Sequence, residues 1–361
     1  MNSDKIRNHH WDNIKSVLII LTVFAHILYQ LQDVSPIINY IVDIIYFFHM
    51  PAFIFVSGYF GKSERSHSAE SILRFVFLFF IFNSAYGFIY GFDSLLKPLV
   101  SYWYLVALIF WRLITHHISG TKHIVLILFL LAVIIGFHPS INNTLALART
   151  IGFLPFYMLG YKFAESDYSK MCEARPLRRF FSALIILAVI SLTLYFSFDL
   201  LSFSDATFVL GAYTDKFDVI ERIIMFFVSV LSIPLLLYVS PRRKIPLISA
   251  FGRNSLWIFV FHRPITLLAS KFLVNAKLPI ILIASLIVTL LICLLFGNDL
   301  LGNFLNNFAK SGAAVLMQKE KKISLAKIAL ICVVLGLIAI SFIEPSQGLV
   351  KPVLRYVRSL F

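Results

Sequence analysis

The sequence predicts an all-α integral membrane protein, a multi-pass bundle of about 10–11 transmembrane helices. Three observations carry this reading. Apolar residues make up 59% of the 361 and charged residues only 14%, against roughly 45–50% and about 25% in a soluble domain. The apolar excess recurs along the whole chain in runs near the roughly 20 residues that cross a bilayer. Lysines and arginines gather in alternate connecting segments, as the positive-inside bias requires.

Spans are expected near 16–32, 38–61, 73–91, 99–115, 123–138, 145–163, 180–198, 221–240, 254–272, 278–297 and 324–343. The first follows Lys5, Arg7 and Lys15 and has the layout of a secretory signal. Tyr29, Gln30 and Gln32 stand where cleavage needs small residues, so it reads as a retained helix. The second carries Pro51 and Gly58, and the sixth carries Pro155 and Gly160. After the tenth, residues 298–323 are the most polar stretch and are expected to form a cytoplasmic loop. Residues 1–297 then form the body, and 298–361 add that loop, one further span and a tail.

With the N-terminus inside, 21 of the 32 lysines and arginines fall on the cytoplasmic side. The segment 199–221 opposite is acidic, with Asp199, Asp205, Asp215, Asp218 and Glu221. A plasma (inner) membrane protein with a cytoplasmic N-terminus is the expectation. The net charge of +14 reflects this topology and contact with anionic lipid headgroups, not nucleic acid. Cys172, Cys293 and Cys332 form neither a disulfide framework nor a metal-ligand spacing, and no metal is expected.

The chemistry-bearing residues start in "DNIKSVLIILTVFAHIL", residues 12–28. A helix turns about 100° and rises about 1.5 Å per residue. Lys15 and His26, eleven apart, therefore share a face and are separated by about 16 Å, half of a hydrocarbon core. Asp12 lies on the same stripe but about 21 Å of rise below His26, so its expected partner is Lys15 or a ligand. Ionisable groups at midplane depth are costly and mark cavities or pathways. Taken alone, His26 also fits a plain hydrogen bond to a neighbouring helix.

Further polar positions follow in later spans. "YFFHMPAFIFVSGYF" (46–60) places His49 mid-span, and Pro51 frees a backbone carbonyl beside it, which suits a cavity wall. "SYWYL" (101–105) holds Trp103 and Tyr104, which by themselves fit an interfacial aromatic belt. "LARTIGFLPFYMLGYKF" (147–163) sets Arg149 at the outer end of a span, and "FGRNSLWIFVFH" (251–262) brings Ser255 and a third mid-span histidine, His262.

Asp12, Lys15-x10-His26, "FFHMPAFIFVSGYF", "SYWYL", "RTIGFLPFYMLGY" and "GRNSLWIFVFH" occur in an order that resembles the acyltransferase family 3 membrane proteins, over roughly residues 8–270. Within that family the likeness is greatest to the fucose 4-O-acetylase-like branch. The resemblance implies transfer of an acetyl or other acyl group from acyl-CoA, as cosubstrate, to a hydroxyl of a cell-surface or lipid-linked carbohydrate. His26 matches the family's essential first-helix histidine, as general base or acyl relay. Lys15 matches a basic residue that is more often arginine, and Asp12 is grouped with these two as catalytic. Lysine lacks the planar two-point contact of a guanidinium with phosphate. Lys15, Arg74, Lys62 and Arg65 are the expected donor contacts, although the paired basic motif frequent after the second helix is incomplete here. Arg149, His49, Trp103, Tyr104, Ser255 and His262 are the expected acceptor or channel residues. Expected partners are the glycan acceptor, membrane lipids and proteins of polysaccharide biosynthesis or export. Two other readings remain: a glycolipid transporter or flippase, which the absence of a repeated half disfavours, and a non-catalytic subunit of a polysaccharide-export system.

Overall fold

The polar start of the chain forms helix because Asn8 caps it. Its side chain accepts from the His10 backbone N–H at 3.1 Å, and helix α1 then runs unbroken over His9–Leu28. The computed structural model describes residues 8–90, 98, 100–138, 146–197, 213 and 218–317. The helices that follow are α2 (Pro36–Gly61), α3 (Ala69–Tyr90), α4 (Trp103–Ile118), α5 (Ile124–Ile134), α6 (Leu147–Lys162) and α7 (Glu165–Glu173). Then come α8 (Pro176–Ser197), α9 (Asp218–Val239), α10 (Pro246–Arg253), α11 (Ser255–Leu273), α12 (Leu278–Phe296) and α13 (Asp299–Leu316). No strand occurs among the described residues.

Seven of these helices are long and apolar enough to cross a membrane, and Ile124–Phe137 is a shorter apolar segment. The protein is thus an all-α multi-pass membrane protein. The expected spans at 99–115 and 145–163 are helices of 16 residues each, about 24 Å long and short of a full crossing. The eleventh expected span, 324–343, lies outside the described residues.

The stretch 298–323, expected as a loop, is helical from Asp299 to Leu316. Its polar composition hides a helical period: Leu305, Ala309 and Ala313 are buried at i, i+4, i+8, while Leu300 and Phe304 are exposed. Asn298 caps this helix by accepting from the Leu301 N–H at 2.9 Å.

The chain divides into two units. The first draws on Met1–Tyr59, Phe156–Val209 and Tyr213–Gly302, the second on Phe60–Pro155, Leu210–Ala212 and Asn303–Phe361. In the first unit α1 is the central element and packs on α10, α11 and α12. Its lower half is unusually polar for a buried helix, and Asn13 and Ser16 are both hydrogen-bonded across to the chain that packs on it. Asn13 donates to the carbonyls of Pro241 (2.8 Å) and Arg243 (2.9 Å) and accepts from Ser249 Oγ (2.7 Å). Ser16 donates to the carbonyl of Ile248. Gly252 makes this approach feasible, because a Cβ there would overlap the Asp12 carbonyl. Trp11 stacks on Tyr59 and Tyr168 at 4.3 and 5.1 Å. The upper half is apolar, and Ile27 and Leu28 join Leu31, Ile38, Val42 and Ile281 in one core. Overpacking a closed contact costs about 1–3 kcal/mol. Gly252→Val is therefore expected to lower the melting temperature of the detergent-solubilised protein. Gly120→Ala, with nothing within 4 Å, is expected to leave it unchanged; equal melting of both variants would refute this account of the contact.

Two glycines also seat α2 against α6. A Cβ on Gly58 would strike the Tyr157 backbone, and one on Gly160 the backbone of Phe55. Small residues thus bring the helix axes close, as in other membrane interfaces. Pro51 cannot donate to the Phe47 carbonyl, but that carbonyl is not left unpaired. Ser229 of α9 donates to it at 2.5 Å, so the proline serves helix packing.

In the second unit the Phe77 ring meets that of Phe308 at a tilt, 5.3 Å apart, and lies against Gly312. Trp111 Nε1 donates to the Thr150 carbonyl at 2.7 Å.

Candidate active site

Helix α1 carries His26 two residues before its C-terminal end, and α11 carries His262 opposite it. His26 Nδ1 lies 2.7 Å from His262 Nε2, with the rings stacked at 5.0 Å. His262 Nδ1 faces the Phe259 carbonyl at 2.6 Å. A carbonyl only accepts, so His262 Nδ1 carries its proton and, in the neutral ring, Nε2 presents a lone pair. His26 Nδ1 must then donate to it. The remaining nitrogen of His26, Nε2, is left with its lone pair available. His262 is fully buried, whereas His26 is part-exposed. The buried ring therefore holds the accessible one in a single tautomer.

Tyr46 and His49 of α2 complete this cluster. Tyr46 lies edge-on to His26 at 6.2 Å and 4.9 Å from His49. His49 is 1% exposed and donates Nδ1–H to the Ile45 carbonyl at 2.8 Å. Its Nε2 is buried and has no hydrogen-bond partner among the described residues. Ser255, at the start of α11, sits seven residues and about 10 Å before His262 on nearly the same face. All these residues belong to the first unit.

At the other end of α1, Lys15 Nζ and Asp12 Oδ1 form an ion pair at 3.1 Å. Their side chains are 18% and 4% exposed, so Lys15 reaches the surface while Asp12 stays under it. The continuous helix keeps both distant from His26.

The remaining expected residues lie in the second unit. Trp103 and Tyr104 are buried. The reason is packing: Trp103 stacks on Phe153 at 5.3 Å and Tyr104 meets Trp111 edge-on at 6.2 Å. Arg149 lies over Trp103 at 5.6 Å. Arg65 and Arg112 lie near enough to Arg74 to act on its charge. Arg112, which the sequence reading left outside the site, donates to Ser71 Oγ (2.5 Å) and the Ser66 carbonyl (3.3 Å), and its own carbonyl accepts from His67. Lys62 precedes this cluster in the connection between α2 and α3.

A family model described as an acyltransferase domain, that of acyltransferase family 3, matches residues 8–298. The chain belongs to acyltransferase family 3. It is a membrane acyltransferase, and the histidine pair lies within the matched residues. The match ends where α13 begins. No curated protein and no solved structure matches the chain.

Sequence reasoning missed three members of these clusters. Tyr46 read as one more aromatic in a run of them. Arg112 was counted only toward topology. Arg263, next to His262 in the expected span 254–272, was counted only with the basic residues of the outer side. Its signal was present: a charge one residue from a mid-span histidine, inside an apolar run.

Proposed function

We propose that this acyltransferase moves an acyl group, acetyl foremost, from acyl-CoA to a hydroxyl of a cell-surface or lipid-linked carbohydrate, with His26 as general base. One observation carries the reading. The hydrogen bond from His26 Nδ1 to His262 leaves the other nitrogen of a part-exposed imidazole with a lone pair to take a proton. A base of this kind raises the nucleophilicity of a hydroxyl toward a thioester. In the proposed step the acceptor oxygen bonds to the acyl carbon while His26 Nε2 takes the hydroxyl proton. The carbon–sulfur bond then breaks, and the departing CoA sulfur takes that proton.

His262 is a positioning residue in this scheme, since it acts through His26. His49, with its unfilled Nε2, is proposed to accept from an acceptor hydroxyl. Arg149, Trp103, Tyr104 and Ser255 are proposed as acceptor contacts. Lys15, Lys62, Arg65 and Arg74 are proposed to meet donor phosphates, and Arg112 neighbours Arg74. Acyl-CoA is made in the cytoplasm, and the charge distribution supports a cytoplasmic N-terminus in the plasma membrane.

The test uses the purified full chain in vesicles with acyl-labelled acetyl-CoA and an extract of lipid-linked carbohydrates. Label is expected to enter the carbohydrate as an alkali-labile ester. Movement of the carbohydrate across the bilayer with no label incorporated would refute the proposal and favour the transporter.

A further inference from the structure

Arg263 is the ninth of the nineteen residues of α11 and follows His262 directly. It is 7% exposed. A guanidinium keeps its charge at any biological pH and carries five N–H donors. Burying such a charge within a membrane span is costly unless an anion meets it. Other arginines of this fold have partners, although the Nε of Arg112, Arg179, Arg222 and Arg242 is, like that of Arg263, unsatisfied. Arg222 lies against the Tyr213 ring at 4.3 Å, Arg179 donates to the Tyr238 carbonyl at 2.7 Å, and Arg253 pairs with Asp299. The Arg263 side chain has no hydrogen-bond or ion-pair partner among the described residues, and its Nε is buried and unsatisfied. It adjoins His262 in the helix, and the His262 ring lies against that of His26. A mid-helix position also separates it from the lysines and arginines that anchor helix ends at the membrane surface.

We infer that Arg263 is a catalytic residue that holds the oxyanion formed when the acceptor oxygen attacks the acyl carbonyl. This rests on the reading of His26 as the base. As the new carbon–oxygen bond forms, the carbonyl π pair moves onto oxygen and the hydroxyl proton passes to His26 Nε2. The guanidinium donates to the negative oxygen. The pair then returns, the carbon–sulfur bond breaks and the sulfur leaves with the proton from His26. A preorganised donor in a low-dielectric site acts on this charge without having to reorganise. An uncompensated cation in the resting site is the expected cost of that arrangement.

The experiment measures initial rates of label transfer from acetyl-CoA to the carbohydrate extract in vesicles, over a range of both, for wild type, Arg263→Gln, Arg263→Lys and His26→Ala. Removing one oxyanion donor costs roughly 10²–10³-fold in kcat, so Arg263→Gln is expected to fall by that factor with both KM values little changed. Arg263→Lys, which keeps the charge but loses the fork, is expected to fall less. If Arg263→Gln does not fold, as judged by size-exclusion elution, the Lys variant decides alone. A kcat equal to wild type in the folded variants would overturn the inference. So would a raised KM for the extract with kcat unchanged, which would make Arg263 a ground-state contact for an anionic acceptor. In both cases the His26 reading survives if His26→Ala is inactive. Transfer that persists in His26→Ala would instead remove the reading beneath it.

Discussion

His26→Ala is expected to lower kcat for acyl transfer by roughly 10²–10⁴-fold, the range a positioned general base supplies. The KM for acetyl-CoA is expected to stay near wild type, because no donor contact is removed. The substitution keeps the fold: His26 sits near the end of α1, while that helix is held by Asn13, Ser16 and Gly252 far below and by the core around Ile27 and Leu28. Loss of activity with an unchanged melting temperature is thus the expected pair of results. Transfer within about threefold of wild type would exclude His26 as the base, since a proton-transfer contribution of at least about 10² would then be missing.

His262→Ala is expected to cut kcat by roughly 10²-fold, again with little change in KM, because orientation and tautomer of the base are lost while the base itself remains. The buried ring does one thing in this scheme: it accepts from His26 Nδ1 because its own Nδ1–H is committed to the Phe259 carbonyl. Without that acceptor the His26 ring turns freely, and its proton moves between the two nitrogens. Leaving the Nδ1–H without its partner also costs about 1–3 kcal/mol. His262→Gln supplies an amide oxygen in place of Nε2 and is expected to recover most of the loss. A purely structural histidine would lower stability in both variants and show no such rescue of kcat. Equal activity of His262→Ala and wild type would separate the pair from the chemistry.

Much of the architecture was legible in the chain because a bilayer imposes simple rules. A span must be long, apolar and helical, and the runs at 16–32, 38–61, 221–240, 254–272 and 278–297 all became helices that meet those rules. The polar helices escaped the same rule. Glu165–Glu173, Pro246–Arg253 and Asp299–Leu316 are too short or too polar to be spans, and their amphipathic period is the only local trace of them. An aromatic pair at a span end, such as Trp103 and Tyr104, looks the same in the sequence whatever it packs on. Their neighbours Phe153 and Trp111 are known only from the fold.

The site divides the same way. Spacing along one helix determines that Lys15 and His26 share a face and that about 16 Å separates them, because helix geometry is local. The family pattern, too, is a property of the order of residues. Which nitrogen of His26 is free is not local. It depends on His262, 236 residues away in sequence, and on the Phe259 carbonyl that determines the tautomer of that ring. The same holds for Arg263, which in the sequence is one basic residue among 32 and in the fold is a buried cation beside two imidazoles. The sequence by itself determined the membrane class, the long apolar helices and the chemical inventory. Only the tertiary structure decided which of those groups are paired, because burial and hydrogen bonding are set by neighbours that the chain brings together from distant positions.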